Sequence, residues 1–189
     1  IPPIRYENHD NGFWIWVDPD PNKTYVLGVD VSDGNTGDYS SIEIFDAETF
    51  EQVAEYQGKI SQEDLGDLVF KYGSRYNNGF VVMDVTGGRG SVSILILMER
   101  GYKNIYYTDN KNKSIKDKLS SFVDENDKGT PGYVIGSAPQ RRVILTEMES
   151  LLRNEVVKVK SSRLINEIKT FVWNEAKQRF DHMRSTHDD

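Results

Sequence analysis

An acidic residue stands inside an apolar stretch near the start of the chain. Tyr25–Val31 is apolar apart from Gly28 and Asp30, and a short apolar run of this kind is typical of a central β-strand. A buried charge without a partner is costly, so Asp30 requires either a polar partner or a metal ion. A second apolar run, Phe80–Met83, ends on Asp84. If the two strands are neighbours, the two carboxylates meet at one edge of the sheet.

Carboxylates at such an edge predict a particular kind of metal site. The chain has no cysteine and only three histidines, so the ligands would be hard oxygen atoms, which suit Mg²⁺ or Mn²⁺ rather than zinc. Two such cations about 3.5–4 Å apart activate water and stabilise the leaving oxygen of a phosphodiester. The alternative is that Asp30 is a turn or N-cap acid and that Asp84 caps the following helix. The pattern leaves both interpretations open.

The first part of the chain predicts strands joined by tight turns. Ser41–Asp46 and Glu51–Tyr56 follow the first strand and predict, with it, an antiparallel three-strand meander. The turn between the first two strands contains Asp33 and Asp38, although Asp-Gly turns by themselves are common. We expect residues 1–20 to be an N-terminal extension or linker.

Helical spacing predicts three helices in the middle of the chain. Ser61–Tyr76 begins with Ser61 and Asp64, a weak capping box, and a hydrophobic helix is predicted from about residue 91 to residue 100. The helix Gln140–Arg153 is amphipathic. Its predicted inward residues are Val143, Leu145, Met148, Leu151 and Leu152.

The C-terminal part predicts a short strand, a helix and a polar tail. Val156–Val159 is the predicted strand, and Ser161 is predicted to cap a helix that includes Phe171. Phe180–Asp189 is a polar tail. Strands followed by strand–helix alternation indicate a mixed α/β sheet in one domain over residues 1–189.

The charge is unevenly distributed along the chain. Residues 1–60 carry 3 basic and 12 acidic side chains, a balance of −9, whereas residues 100–163 carry 13 basic and 8 acidic side chains, a balance of +5. A chain of this kind can hold a polyanion on one side and concentrate carboxylates elsewhere; the alternative is that the charges are solvated faces of helices and loops. The basic excess gathers in Lys111, Lys113, Lys116, Lys118, Arg141, Arg142, Lys158, Lys160 and Arg163.

Composition excludes several classes of protein. At 37% hydrophobic and 28% charged residues, the chain is typical of globular rather than disordered or fibrous proteins. No apolar stretch approaches the roughly 20 residues that span a membrane, so we expect no membrane partner. The absence of cysteine excludes disulfides and thiolate metal sites. Because the chain begins with Ile1 and without a leader, we expect it to be a domain of a longer protein.

Three acidic motifs follow one another along the chain. They are the segment from Gly28 to Tyr39, the segment from Val81 to Gly90, and Ser185–Asp189, which contains His-Asp-Asp. In this order they resemble the three nuclease motifs of one known family, the nuclease domain of tailed-bacteriophage terminase large subunits, in which the third motif opens a final helix. Each motif alone is modest, but their order and spacing are specific, and the resemblance covers most of the chain from about Gly12.

The resemblance implies an RNase H-like fold and a metal-dependent endonuclease that cuts concatemeric double-stranded viral DNA by two-metal hydrolysis. It implies that Asp30, Asp84 and Asp189 form the catalytic, metal-binding triad with Mg²⁺ or Mn²⁺, Asp188 being the alternative to Asp189. The accessory residues that it implies are Asp33, Asp38, His187 and Asp188. The candidate contacts to the DNA backbone are Lys111, Lys113, Lys116, Lys118, Arg141 and Arg142.

Two departures from the family limit the resemblance. The family joins this domain to a packaging ATPase, but the chain has no G-x-x-x-x-G-K-[ST] phosphate loop, so we expect no ATP hydrolysis and no ATPase domain here. We also expect the family's final helix after Asp189 to be absent. In the full-length protein the implied partners are the ATPase domain, the portal and the small terminase subunit, at the procapsid portal vertex in the host cytoplasm.

Other functions remain compatible with the same residues. A Holliday-junction resolvase or another RNase H-like nuclease would use the same acids. A sugar-kinase or actin-like phosphotransferase would use Asp30 with the following turn, but it needs a duplicated domain for which 189 residues leave little room. A third alternative is a module that mainly grips DNA within the packaging motor.

Overall fold

The computed structural model describes residues 1–8, 10–32, 38–108, 129–174 and 179–182. The elements up to residue 99 are β1 (Arg5–Glu7), β2 (Phe13–Ile15), β3 (Tyr25–Asp30), β4 (Ser40–Asp46), β5 (Gln52–Gly58), α1 (Gln62–Arg75), β6 (Phe80–Met83), a 3₁₀ turn (Thr86–Gly88) and α2 (Ser91–Glu99). The later elements are β7 (Tyr107–Thr108), β8 (Thr130–Pro131), α3 (Ala138–Arg153), α4 (Ser162–Thr170), β9 (Phe171–Asn174) and β10 (Arg179–His182).

A mixed sheet forms the centre of the fold. Within the described residues it has six strands, in the order β1-β2-β5-β4-β3-β6. Strands β3, β4 and β5 form the predicted antiparallel meander, and β6 lies parallel to β3 with Val29 beside Met83. The prediction of a mixed sheet with an antiparallel three-strand meander and flanking helices is confirmed. The carboxyl ends of β3 and β6 therefore lie together at one end of the sheet.

The N-terminal segment belongs to this sheet, which corrects the expectation of an extension or linker over residues 1–20. Strand β2 pairs with β5, and β1 pairs with β2 at the sheet edge. Phe13 and Ile15 are fully buried. The strands were missed because each has three residues, too few for a period-2 pattern to stand out.

Helix α1 packs on one face of the sheet. The ring of Phe13 stacks on that of Tyr72 with 3.4 Å between the ring centroids, and Tyr25 makes an edge contact with Tyr76 at 5.1 Å. Side chains alternate between the two faces of a strand, so Leu27, Val29 and their neighbours on this face join α1 and α2 in one core. Asp30 and other polar side chains lie on the opposite face of the sheet.

Helix α3 matches its predicted position but not its predicted packing. Leu145, Met148 and Leu152 are half-buried, as an inward face requires. Val143 and Leu151 were predicted to point inward, but they are 57% and 41% exposed. The apolar residues of this helix cover more of its circumference than one contact can bury, so one stripe faces inward and the other faces solvent.

The C-terminal part differs most from its prediction. Ser161 caps α4 as predicted, because its hydroxyl accepts from the backbone N–H groups of Arg163 and Leu164. The helix ends at Thr170, however, and Phe171 begins β9, which pairs with β10 in a hairpin that the polar-tail prediction missed. The predicted strand Val156–Val159 is only a bridge between Lys158 and Glu51. None of the described helices is long and apolar enough to cross a membrane.

Candidate functional site

The paired strand ends bring two predicted acids together. Asp30 is the last residue of β3, and Asp84 directly follows β6. The parallel register places Val29 beside Met83, and the backbone N–H of Asp84 donates to the carbonyl of Val29 at 2.9 Å. Asp30 and Asp84 are therefore adjacent at one end of the sheet, so the condition attached to the sequence prediction, that the two strands are neighbours, is met.

The electrostatics of Asp30 reflect this neighbour. Residue Asp30 is solvent-accessible, yet the surrounding protein removes part of the water around its carboxyl group, and this desolvation is the main reason that the pKa of Asp30 is raised. The negative charge of Asp84 raises that pKa further, while the backbone N–H of Val31 and the charge of Arg89 lower it. The acid pair thus carries a repulsion that a bound cation would relieve.

Asp84 is held in place by the turn that follows it. One oxygen of its carboxylate accepts from the backbone N–H of Thr86 at 2.8 Å. The hydroxyl oxygen of Thr86 in turn accepts from the backbone N–H of Ile135 at 2.9 Å, and Tyr133 pairs with Asp84 in an isolated bridge. Thr86, which holds the Asp84 carboxylate, is therefore hydrogen-bonded to the chain around residues 133–135.

The turn between Asp84 and α2 wraps around the end of β3. Gly90 has a left-handed backbone with φ of 71°, and a Cβ atom built there would lie 2.7 Å from the carbonyl oxygen of Asp84 and 3.0 Å from the side chain of Val31. Only glycine therefore fits at this position. The preceding residue, Arg89, is exposed, and its charge lowers the pKa of Asp30. The second sequence motif includes Arg89, but sequence reasoning gave it no role.

Asp38 lies near the acid pair, whereas the other accessory residues are outside the described part of the chain. The negative charge of Asp38 contributes to the raised pKa of Asp30, and its carbonyl oxygen accepts from the hydroxyl of Ser32 at 3.1 Å. The structure does not describe Asp33, His187, Asp188 or Asp189.

A cleft of about 770 Å³ opens beside Asp30, between α3 and α4. Aliphatic and charged side chains both line it. The lining residues are Asp30, Arg141, Leu145, Met148, Glu149, Leu152, Arg153, Leu164, Glu167 and Ile168. Apart from Gly28 and its two chain neighbours, no atom of the described residues lies within 4 Å of a Cβ atom built at Gly28, so within that part of the chain the sheet surface near Asp30 is open.

Of the two candidate DNA contacts that the structure describes, only one lines the cleft. Both Arg141 and Arg142 lie in the first turn of α3 and are exposed. Arg141 lines the cleft that contains Asp30, whereas Arg142 is not among the lining residues. The candidate contacts Lys111, Lys113, Lys116 and Lys118 lie outside the described residues.

A second pair of acids, which sequence reasoning did not single out, lies on the same face of the sheet. Glu43 of β4 is directly opposite Glu55 of β5, and the side-chain amide of Gln52 donates to both carboxylates, at 2.6 and 3.4 Å. Arg163 stands 3.4 Å from Glu55 and stacks on the ring of Trp14. The alternation of β4 separates Glu43 from the buried Ile42 and Ile44, but only the register of β4 with β3 and β5 places Glu43 on the face of Asp30 and opposite Glu55.

The donor set at the strand ends fits a hard divalent cation. Asp30 and Asp84 offer only carboxylate oxygens, the ligands that Mg²⁺ and Mn²⁺ prefer. Among the residues that the structure describes, no group of three acidic or histidine side chains is arranged to hold a metal ion. The two described acids therefore fit part of such a site, and the predicted third acid, Asp189, lies beyond the described residues.

Comparisons with known proteins give one class of fold. No family model matches the chain. The large terminase nuclease from thermophilic phage G20c with bound magnesium is similar at a TM-score of 0.71 and 17% sequence identity, over 100% of this chain and 87% of that chain. A second structure of that nuclease gives a TM-score of 0.68 and 12% identity, over 100% of this chain and 86% of that chain.

A terminase nuclease from another phage agrees with this result. The large terminase nuclease domain of Thermus phage P74-26 is similar at a TM-score of 0.62 and 14% identity, over 100% of this chain and 84% of that chain. Further structures of the G20c nuclease contain bound cobalt and zinc. The chain has an RNase H-like fold. More narrowly, it has the fold of the nuclease domain of a phage large terminase.

Proposed function

We propose that this chain is the nuclease domain of a tailed-phage terminase large subunit and hydrolyses phosphodiester bonds of double-stranded DNA. The observation that carries the proposal is the adjacency of Asp30 and Asp84 at the carboxyl ends of β3 and β6, in a fold shared with terminase nucleases. One of those nucleases was solved with bound magnesium.

Asp30 and Asp84 would hold the metal ions, with Asp189 or Asp188 as the third ligand. Bound divalent cations supply water activation and stabilisation of the leaving oxygen. The chain itself fixes Asp84 through Thr86 and leaves Asp30 accessible to the substrate. Asp33, Asp38 and His187 are proposed as accessory residues that orient the carboxylates or water. The proposed site binds two divalent ions, Mg²⁺ or Mn²⁺.

The substrate side of the proposal concerns the DNA backbone. Arg141 lines the cleft that holds Asp30, where a guanidinium would contact a phosphate close to the cut. Arg142, Lys111, Lys113, Lys116 and Lys118 are proposed as further, sequence-independent contacts. Concatemeric viral DNA is the proposed substrate. An ATPase domain, a portal and a small terminase subunit at the procapsid are the proposed partners in the host cytoplasm.

The test is cleavage of supercoiled plasmid in Mg²⁺, in Mn²⁺ and in EDTA. We expect nicking with either metal and none in EDTA. Asp30→Asn and Asp84→Asn should each slow cleavage by about a hundredfold or more, because several kcal/mol of metal-dependent stabilisation would be lost.

The matched control is Asp67→Asn. Asp67 is an exposed aspartate of α1 that pairs with Arg100, and its variant should cut at the wild-type rate. Full activity of Asp30→Asn would contradict the proposal. Equal DNA affinity with and without metal, together with no nicking, would instead favour a module that only grips DNA.

A further inference from the structure

The turn that links Asp84 to α2 contains a positively charged side chain that is not one of the proposed metal ligands. Arg89 lies in this turn, five residues beyond Asp84, and is exposed. Its charge reaches the carboxyl group of Asp30. Residue 89 therefore lies in the turn between the end of β6 and the start of α2, in a position from which its charge acts on Asp30.

The backbone of the turn fixes this position. A Cβ atom built at the neighbouring Gly90 would lie 2.7 Å from the carbonyl oxygen of Asp84 and 3.0 Å from the side chain of Val31, so the backbone next to Arg89 passes close to the ends of both β3 and β6. The carbonyl of Gly90 also accepts a hydrogen bond from the backbone N–H of Ile94 in α2, at 2.9 Å. The turn that carries Arg89 is therefore joined to α2 on one side and passes the two strand ends on the other.

The outer side of the same turn is open. Among the described residues, Cβ atoms built at Gly87 and Gly88 would meet no atom within 4 Å, and both glycines are exposed. Within that part of the chain, the outer side of the turn therefore has room for a DNA backbone next to Arg89. Guanidinium groups bind phosphate through two parallel N–H donors, which fixes the orientation of the phosphate as well as its position.

We propose that Arg89 binds a backbone phosphate of the DNA strand that is cut and positions it over Asp30 and Asp84. This inference rests on the proposed nuclease function and adds to it a substrate-positioning residue outside the metal ligands. Arg89 is not one of the basic residues of the region 100–163 to which the charge distribution drew attention.

The test compares Arg89→Ala, Arg89→Lys and Arg100→Ala in two measurements. Arg100 follows α2 at its other end and pairs with Asp67, so its loss tests the removal of an arginine that adjoins the same helix away from the acid pair. The first measurement is the affinity for a short duplex in EDTA at several salt concentrations. The second is the single-turnover cleavage rate at saturating DNA in Mg²⁺.

We expect Arg89→Ala to reduce the saturating cleavage rate at least tenfold and the salt slope of binding by about one, since one phosphate contact is lost. Arg89→Lys should restore the slope and part of the rate, because lysine keeps the charge but not the paired donors. Arg100→Ala should match the wild type in both. Unchanged melting temperatures would show that the variants fold.

An unchanged rate and slope in Arg89→Ala would overturn the inference, as would a lower rate with an unchanged slope, which would mean that the guanidinium acts on the acids and not on DNA. The binding measurement does not depend on cleavage. A wild type that never cuts, with a reduced slope in Arg89→Ala, would therefore contradict the nuclease function and support the phosphate contact.

Discussion

Glu43 and Glu55 face each other across β4 and β5 in a polar cluster beneath the start of α4. Burial is the main cause of the raised pKa of Glu43, and the charge of Glu55 raises it further. The side-chain amide of Gln52 and the charge of Arg163 act in the opposite direction, and Glu167 of α4 adds to the rise. The pair therefore favours a bound proton in the folded protein.

This proton predicts a pH dependence of stability. A carboxyl group whose pKa is raised by folding stabilises the folded state below its ordinary pKa, which is 4.5 for Glu43, and loses that contribution as the pH rises through the folded-state value. We expect Glu43→Gln to flatten this decline and to raise the free energy of unfolding at neutral pH, by about 1.4 kcal/mol for each pKa unit removed.

Urea denaturation of both proteins between pH 4 and pH 8 measures the effect. Only the difference between the two curves is used, so groups with lowered pKa values, such as Glu7 and Asp46, cancel. A constant difference across the whole range would contradict the prediction.

At the level of elements, α1 and α2 approach closely because α1 has a glycine at their contact. A Cβ atom at Gly66 would lie 2.7 Å from the backbone oxygen of Ser93 and 2.9 Å from Ile96. Ser93 is fully buried, and its hydroxyl donates to the carbonyl of Gln62 at 2.7 Å. The contact matters for the site because α2 begins directly after the turn that carries Arg89.

We expect Gly66→Val to lower the free energy of unfolding by about 2 kcal/mol or more, because the added side chain must displace backbone or bend the helix pair. For a chain of this size that corresponds to a melting temperature lower by about 4–8 °C. Lys71→Val, at an exposed position of the same helix, controls for helix propensity and should cost about 0.5 kcal/mol. Equal melting temperatures of the two variants would contradict the close contact.

For the molecule as a whole, the N-terminal segment decides how far the sheet extends. Phe13 of β2 is fully buried against Tyr72 of α1, and Glu7 of β1 forms an ion pair with Arg75 at 2.8 Å. The segment that sequence reasoning assigned to an extension is thus attached both to β5 and to α1.

Phe13→Ala should lower the free energy of unfolding by about 3–5 kcal/mol, the usual loss for a buried aromatic side chain, and the melting temperature by about 10 °C. Tyr6→Ala, at a position of β1 that is 51% exposed, is the control and should cost far less. A Phe13→Ala protein with the same melting temperature as the wild type would show that β2 is not part of the cooperative fold.

Much of the scaffold of the site was predictable because its signals are local. The apolar runs that end on Asp30 and Asp84 predicted two strands, the period-2 alternation predicted β4, and Ser61 predicted the start of α1. These signals reside in residues that are neighbours in sequence, where strand and helix periods can be read directly. The register that makes Asp30 and Asp84 adjacent was a condition in the prediction and an observation in the structure.

The tertiary structure alone decided what depends on contacts between distant segments. It placed β2 beside β5, set Glu43 opposite Glu55, and brought the charge of Arg89 close enough to Asp30 to lower the pKa of that carboxyl group. Sequence determined which stretches become strands and helices and which acids end them, because local geometry and burial pattern follow from residue type. Packing then decides which charged side chains are close enough to interact, because electrostatic coupling depends on distance in space and not on separation along the chain.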